Sequence, residues 1–101
     1  MKYKIIIAPG ADADLKRIRA FDAAKIEDKI KTHLSHEPTK VSRSSIKKLK
    51  GIDKPQYRLR VEEHRIFYDV SNDEVHVLAI VPKSDAAAWL KKEGEKKGEQ
   101  K

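Results

Sequence analysis

The stretch from Pro55 to Val70 constrains this chain more than any other. Tyr57, Leu59 and Val61 alternate with Arg58, Arg60 and Glu62, the period of two that marks a strand with one buried face. Glu62-Glu63 is the natural two-residue turn. A hairpin folded there pairs Val61 with His64, Arg60 with Arg65, Leu59 with Ile66, Arg58 with Phe67 and Tyr57 with Tyr68. That register puts Tyr57, Leu59, Val61, Ile66, Tyr68 and Val70 on one face, a core face. Arg58, Arg60 and Arg65 share the other. Like charges directly opposed on a sheet are destabilising, so the pairing of Arg60 with Arg65, with Arg58 nearby, points to an anion held between them.

Charge supports an anionic partner. The chain carries a net charge of +7 over 101 residues. Between residues 40 and 60, eight basic residues face one acid, Asp53. A field focused in this way suits a polyanion, with nucleic acid the leading candidate. There is no cysteine, so neither disulfides nor a Cys-based metal site enters, which suits a reducing cytoplasm. The N-terminal apolar run, Ile5 to Ala8, is too short for a signal segment or a membrane span. The expectation is a cytoplasmic protein with no membrane association. The length allows one core, assigned to residues 1–93. Residues 94–101 carry no apolar side chain and are expected to be a disordered tail.

The remaining elements follow in order. Tyr3 to Ala8 reads as a buried strand placed beside the hairpin and broken by Pro9-Gly10. Ala11 to Arg19 reads as a helix with Ala11, Leu15 and Ile18 on one side. Phe21-Asp22 reads as a break, with Asp22 as N-cap of a second helix from Ala23 to His36, whose stripe is Ala23, Ile26, Ile30, His33 and Leu34. Glu37-Pro38 ends it. Residues 39–54 read as a basic loop pinned by Leu49 and Ile52. Ser71-Asn72-Asp73 is a turn, and Glu74 to Val81 a third strand. Its register pairs Val70 with Val75, Asp69 with His76, Tyr68 with Val77, Phe67 with Leu78 and Ile66 with Ala79. Val75, Val77, Ala79 and Val81 then face the core, and His76, Leu78 and Ile80 the arginines. His76 is expected to pair with Asp69. Ser84 is expected to cap a last helix whose Trp89 or Leu90 packs on the sheet. The class is α+β, a helix hairpin packed on a small, mostly antiparallel sheet in the order β-α-α-β-β-β-α.

This order, with Leu49-Lys50-Gly51, Tyr57-Arg58-Leu59-Arg60-Val61 and Arg65-Ile66-Phe67-Tyr68, resembles the RelE/ParE superfamily of toxins from type II toxin–antitoxin systems over residues 2–90. The resemblance implies a microbial-RNase-like domain blocked by a cognate antitoxin protein. In the RelE branch such a domain enters the ribosome and cleaves mRNA; in the ParE branch it poisons DNA gyrase. It also implies that Arg58, Arg60 and Arg65 stand at phosphate-binding positions. Lys83 stands at a late basic position, and Trp89 where the family usually has a tyrosine. The turn glycine of the family is replaced by Glu62-Glu63-His64, and the glycine before the late basic residue by Pro82.

RNA cleavage without a metal needs a base, a cation for the charge on phosphorus and an acid. Arginine supplies the charge with bidentate reach. His64 is the titratable candidate at the turn. The expected catalytic set is therefore Arg58, Arg60, Arg65, Lys83 and His64. Lys47, Lys48, Lys50, Lys54 and Trp89 are expected to bind RNA, and neither metal nor cofactor is expected. If about five phosphates are neutralised, the log–log salt slope on single-stranded RNA is about −3.5. The function expected is a ribosome-dependent mRNA endoribonuclease with antitoxin, ribosome and mRNA as partners. The alternatives are a ParE-like gyrase inhibitor and a degenerate module that binds only its antitoxin and operator DNA.

Overall fold

A computed structural model describes residues 2–96. The elements are β1 (Lys4–Ile7), α1 (Pro9–Lys16), α2 (Ala20–Lys29), β2 (Ile46–Lys48), β3 (Ile52–Lys54), β4 (Tyr57–Val61), β5 (His64–Ser71), β6 (Glu74–Pro82), α3 (Ala86–Glu93) and β7 (Glu95–Lys96). A five-stranded sheet runs β1-β6-β5-β4-β2, and β3 with β7 forms a second, two-stranded one. The large sheet is antiparallel except where β1 joins β6 in parallel. The α+β class and the helix hairpin on a mostly antiparallel sheet hold.

The hairpin pairs as its alternation dictates, through all five pairs from Tyr57 with Tyr68 to Val61 with His64. Leu59, Val61, Ile66 and Tyr68 are buried with Ile26, Ile30 and Leu34 of the helical layer. The Tyr68 hydroxyl sits in this core and donates to the Pro38 carbonyl oxygen at 2.6 Å. Burial pushes its phenol well above the ordinary tyrosine value, so it is a structural donor rather than an acid.

Several expectations are corrected. The first strand is half-buried and lies at the sheet edge beside β6, away from the hairpin. The helix after it begins at Pro9, because proline's fixed φ and missing N–H suit the first helical turn. Phe21-Asp22 is not a break: α2 already starts at Ala20, and Asp22 turns its carboxylate to the Arg19 Nε at 3.4 Å instead of capping. The helix then widens into a π-turn over Ile30–Leu34. The basic loop contains two strands, β2 and β3, because Ile46 enters the core opposite Leu59. Ser84 makes no cap; Lys83–Asp85 form a 3₁₀ turn before α3. The tail expected to be disordered contributes Glu95 and Lys96 to β7; its residues 97–101 lie outside the described residues.

The largest correction concerns β6. Val70 with Val75, Asp69 with His76 and Tyr68 with Val77 pair as expected, but Phe67 then meets Ala79 and Ile66 meets Ile80. Leu78 is an extra residue, a β-bulge, and one extra residue reverses every following side chain. Ala79 and Val81 therefore lie with Phe67 on the arginine face, and Ile80 in the main core. The freed Ile80 N–H donates to the Asp14 carboxylate at 2.9 Å, so α1 closes the sheet edge there.

Candidate phosphate-binding face

The face of the sheet away from α1 and α2 carries the cations. Arg58 lies opposite Phe67 on one side and Lys47 on the other, and Arg60 lies opposite Arg65. Phe67, Ala79 and Val81 are buried there beneath α3, with Leu49, Ala86, Trp89 and Leu90 packed against them. Trp89 stacks on Phe67 with ring centroids 4.9 Å apart and planes 6° from parallel. α3 thus covers Phe67, Ala79 and Val81, while Arg58 stays half-buried and Arg60 exposed on the same face.

The three arginines are not equivalent. Arg65 is 8% exposed. Its Nη1 donates to the Glu62 carbonyl oxygen at 2.8 Å and to that of His64 at 2.9 Å. The Lys83 amide donates to the Glu63 carbonyl oxygen at 2.7 Å. Three carbonyls of the turn are occupied, and the opposition of Arg60 and Arg65 is relieved by these dipoles and by the exposure of Arg60. The anion expected between those two residues is not needed for that purpose. Arg58 is different. It is half-buried, and its Nε is enclosed without a hydrogen-bond partner among the described residues. Burial foremost, then the charges of Arg65 and Arg60, hold its guanidinium below the ordinary arginine value. A desolvated cation among like charges, with an unpaired donor, gains most from an anion.

Other expected residues fall elsewhere. Lys48 is on the helix side of the sheet, its Nζ 5.1 Å from the centre of the Tyr57 ring, and Tyr57 stacks on Tyr68 at 5.5 Å. His64 shares the face of Val61 and lines a cleft of about 110 Å³ with Asp22, Lys25 and Glu62. The register therefore separates it from Arg58 and Arg60. Lys83 lies beside the turn, lining a shallow cleft with Glu63, Pro82 and Ser84. Lys50 and Lys54 are exposed on the segment that β7 ties down. Only Lys47, Arg58, Arg60, Arg65 and Trp89 are brought to one face.

His76 and Asp69 stand opposite each other, but their expected pairing is corrected. His76 Nε2 lies 3.0 Å from the Glu74 carboxylate, and Asp69 accepts the Gln56 N–H at 2.7 Å. Gln56 Oε1 in turn accepts the Val70 N–H at 2.8 Å. This reciprocal brace fixes the start of β4 and was missed in the sequence, although extending the hairpin register one step beyond Tyr57 and Tyr68 sets Gln56 against Asp69. Burial raises the Asp69 carboxyl above the ordinary value despite the Gln56 amide.

The profile of a family described as the ParE toxin of type II toxin–antitoxin systems, parDE, matches residues 5–87. The chain belongs to this toxin family. A search of curated proteins finds no match. Among solved structures, the toxin resembles the archaeal RelE-RelB complex from Pyrococcus horikoshii OT3 with a TM-score of 0.67 and 21% identity, over 82% of this chain and 97% of that one. It resembles the YoeB/ParE toxin from Agrobacterium tumefaciens with a TM-score of 0.63 and 24% identity, over 78% and 96%. The chromosomal ParDE system of P. aeruginosa matches with a TM-score of 0.59 and 16% identity, over 80% and 96%. At these identities the likeness establishes the fold, and the RelE/ParE resemblance of the sequence holds at that level. Among the described residues no helix is long and apolar enough to cross a membrane.

Proposed function

We propose that this toxin is an antitoxin-controlled endoribonuclease that cleaves mRNA on the translating ribosome. The observation that carries the reading is Arg58, a half-buried guanidinium whose enclosed Nε has no partner among the described residues, with Lys47 opposite it and Arg60 two residues on. In the reaction, the 2′-hydroxyl oxygen attacks the adjacent phosphorus and the 5′-oxygen of the next nucleotide leaves, giving a cyclic phosphate. Negative charge grows on the non-bridging oxygens at the pentacoordinate stage. Arg58 and Arg60 are placed to meet it, and preorganised donors of this kind each contribute about 10²–10³ in rate. Arg65 acts on this reading as a positioning residue, since its guanidinium is committed to the turn. Trp89 has no titratable hydroxyl and His64 faces the helices, so neither supplies a proton on this face. The ribosome is the source of proton transfer in this reading. A cognate antitoxin is the expected regulator, because solved relatives are toxin–antitoxin complexes.

The second reading, a ParE-like inhibitor of DNA gyrase, is favoured by the family profile itself. A single experiment separates them. The toxin is induced in cells, and mRNA 5′ ends and gyrase–DNA cleavage complexes are mapped in the same culture beside Arg58→Ala. New mRNA ends that the variant loses support the endoribonuclease. Cleavage complexes that persist in the variant overturn it in favour of gyrase, and neither signal leaves a module that binds only its antitoxin and operator.

A further inference from the structure

A polar cleft of about 320 Å³ opens where the π-turn after α2 meets the segment leading into β2. Ligand-sized cavities start near this volume, at about 300 Å³, which limits an occupant to the size of one nucleotide. It is lined by Thr32, His33, His36, Lys40, Ser42, Ser44 and Ser45. These are hydroxyls that donate and accept, imidazoles with flat faces, and one ammonium. Ile46 is the single apolar residue of the lining, so the cleft suits a sugar-phosphate better than an apolar ligand. Glu37 also lines it, with its carboxylate 3.8 Å from the Lys40 ammonium, so that exposed pair presents no net charge and Lys40 exchanges Glu37 for a phosphate when one binds.

Two features make the cleft a built one. Ser42 Oγ accepts the amides of Ser45 and Ile46 at 3.0 and 3.2 Å, which fixes the rim. The widening of the helix over Ile30–Leu34 brings His33 and His36 to the same opening; such π-turns recur at functional sites. The position is also informative. The Ser45 carbonyl oxygen accepts the Arg60 N–H at 2.8 Å. The cleft therefore begins one strand spacing, about 4.8 Å, from the backbone of a residue on the phosphate-binding face. The helical wall of the cleft lies on the other side of the sheet from Arg58 and Arg60, so a chain of nucleotides crossing those residues reaches it by turning over β2, the edge strand.

We infer that this cleft is a subsite for single-stranded RNA, holding a nucleotide that flanks the one at Arg58 and Arg60. The inference rests on the endoribonuclease reading. Lys40 meets the phosphate, the serine and threonine hydroxyls meet the ribose 2′-hydroxyl, and an imidazole stacks on the base, the contacts by which proteins hold unpaired RNA. The 2′-hydroxyl contacts make the subsite prefer RNA to DNA.

The test is a titration of the isotope-labelled toxin with hexauridylate and with its deoxy counterpart, read by amide chemical shifts. A second sample carries His36→Ala, Lys40→Ala and Ser44→Ala together. All three side chains are exposed, and a thermal melt checks that the fold is intact. The expected result is shifts at residues 32–45 as well as at Arg58 and Arg60. The triple variant is expected to lose the first set, keep the second, bind about five- to tenfold more weakly, and show a salt slope shallower by about 0.7 for the lost phosphate contact. The deoxy oligonucleotide is expected to leave residues 32–45 unmoved. Shifts confined to Arg58 and Arg60 overturn the subsite and leave the endoribonuclease reading standing. Equal shifts at residues 32–45 with both oligonucleotides overturn its preference for RNA. No shift at any residue overturns the RNA-binding reading, and the subsite with it.

Discussion

Trp89→Ala tests whether α3 is an integral cover of the sheet. Trp89 stacks on the buried Phe67 at 4.9 Å and 6°, in a small cluster with Ala79, Val81, Leu49 and Leu90. A fully buried tryptophan replaced by alanine costs about 3–5 kcal/mol. Trp89 is half-buried, and a void at the surface refills with water, so about half of that applies, ~2 kcal/mol. The aromatic pair itself accounts for about 0.5–1.5 kcal/mol of it. At about 4–8 °C per kcal/mol for a domain near this size, Tm should fall by about 8–16 °C, measured by circular dichroism. Trp89 is the sole tryptophan of the chain, so its fluorescence reports the same contact in Phe67→Leu. There the emission should move to the red below the global transition, as α3 loosens first. A Tm within about 2 °C of wild type for Trp89→Ala, with unchanged emission in Phe67→Leu, refutes the packing of α3 on this face.

Two further outcomes are expected. Glu62 holds φ at 51° in the hairpin turn, a left-handed conformation that costs an ordinary residue about 1–2 kcal/mol. Glu62→Gly relieves this at the expense of a more flexible unfolded chain and of the solvent-screened Lys25 contact. A net gain of about 0.5–1 kcal/mol is expected in urea unfolding, and a loss contradicts the strain. Asp69 has its carboxyl raised chiefly by burial, so its contribution is full below the ordinary carboxylate pKa and is lost as pH rises through the raised value. Asp69→Asn keeps an acceptor for the Gln56 N–H without a charge to desolvate. The variant should match or exceed wild-type Tm at pH 7, with the difference narrowing toward pH 4; a lower Tm at pH 7 contradicts this.

The hairpin was legible because its alternation is strict and its turn is polar. Leu59 and Val61 can bury in only one register, and that register carries Arg58, Arg60 and Arg65 to one face. The bulge at Leu78 was not legible. Leu78-Ala79-Ile80-Val81 is apolar throughout, so either register buries similar surface, and the choice rests on the distant Asp14 carboxylate that takes the Ile80 N–H. The strand at Ile46–Lys48 was hidden by its shortness and by lysines that read as a solvated loop. Glu95 and Lys96 pair only because β3 offers a free edge, which no local pattern in a charged tail reveals. At the site, the sequence gathered the arginines but could not rank them. Which guanidinium turns inward to carbonyls and which is left with an unpaired nitrogen depends on the geometry of the turn, with Arg65 satisfied by Glu62 and His64 and Arg58 not. The face of Lys48 was legible from Tyr57, its partner across the strands, once β2 is known to be a strand.

The central claim is that Arg58 meets the charge of a transferring phosphate. Purified toxin is mixed with ribosomes programmed with a short mRNA, and single-turnover cleavage is followed by primer extension for wild type, Arg58→Ala and Arg58→Lys. The account predicts cleavage by the wild type, a loss of about 10²–10³ in rate for the alanine variant, and partial recovery with lysine, which restores the charge without the bidentate fork. Equal cleavage by wild type and Arg58→Ala, or no cleavage by the folded wild type on programmed ribosomes, contradicts it.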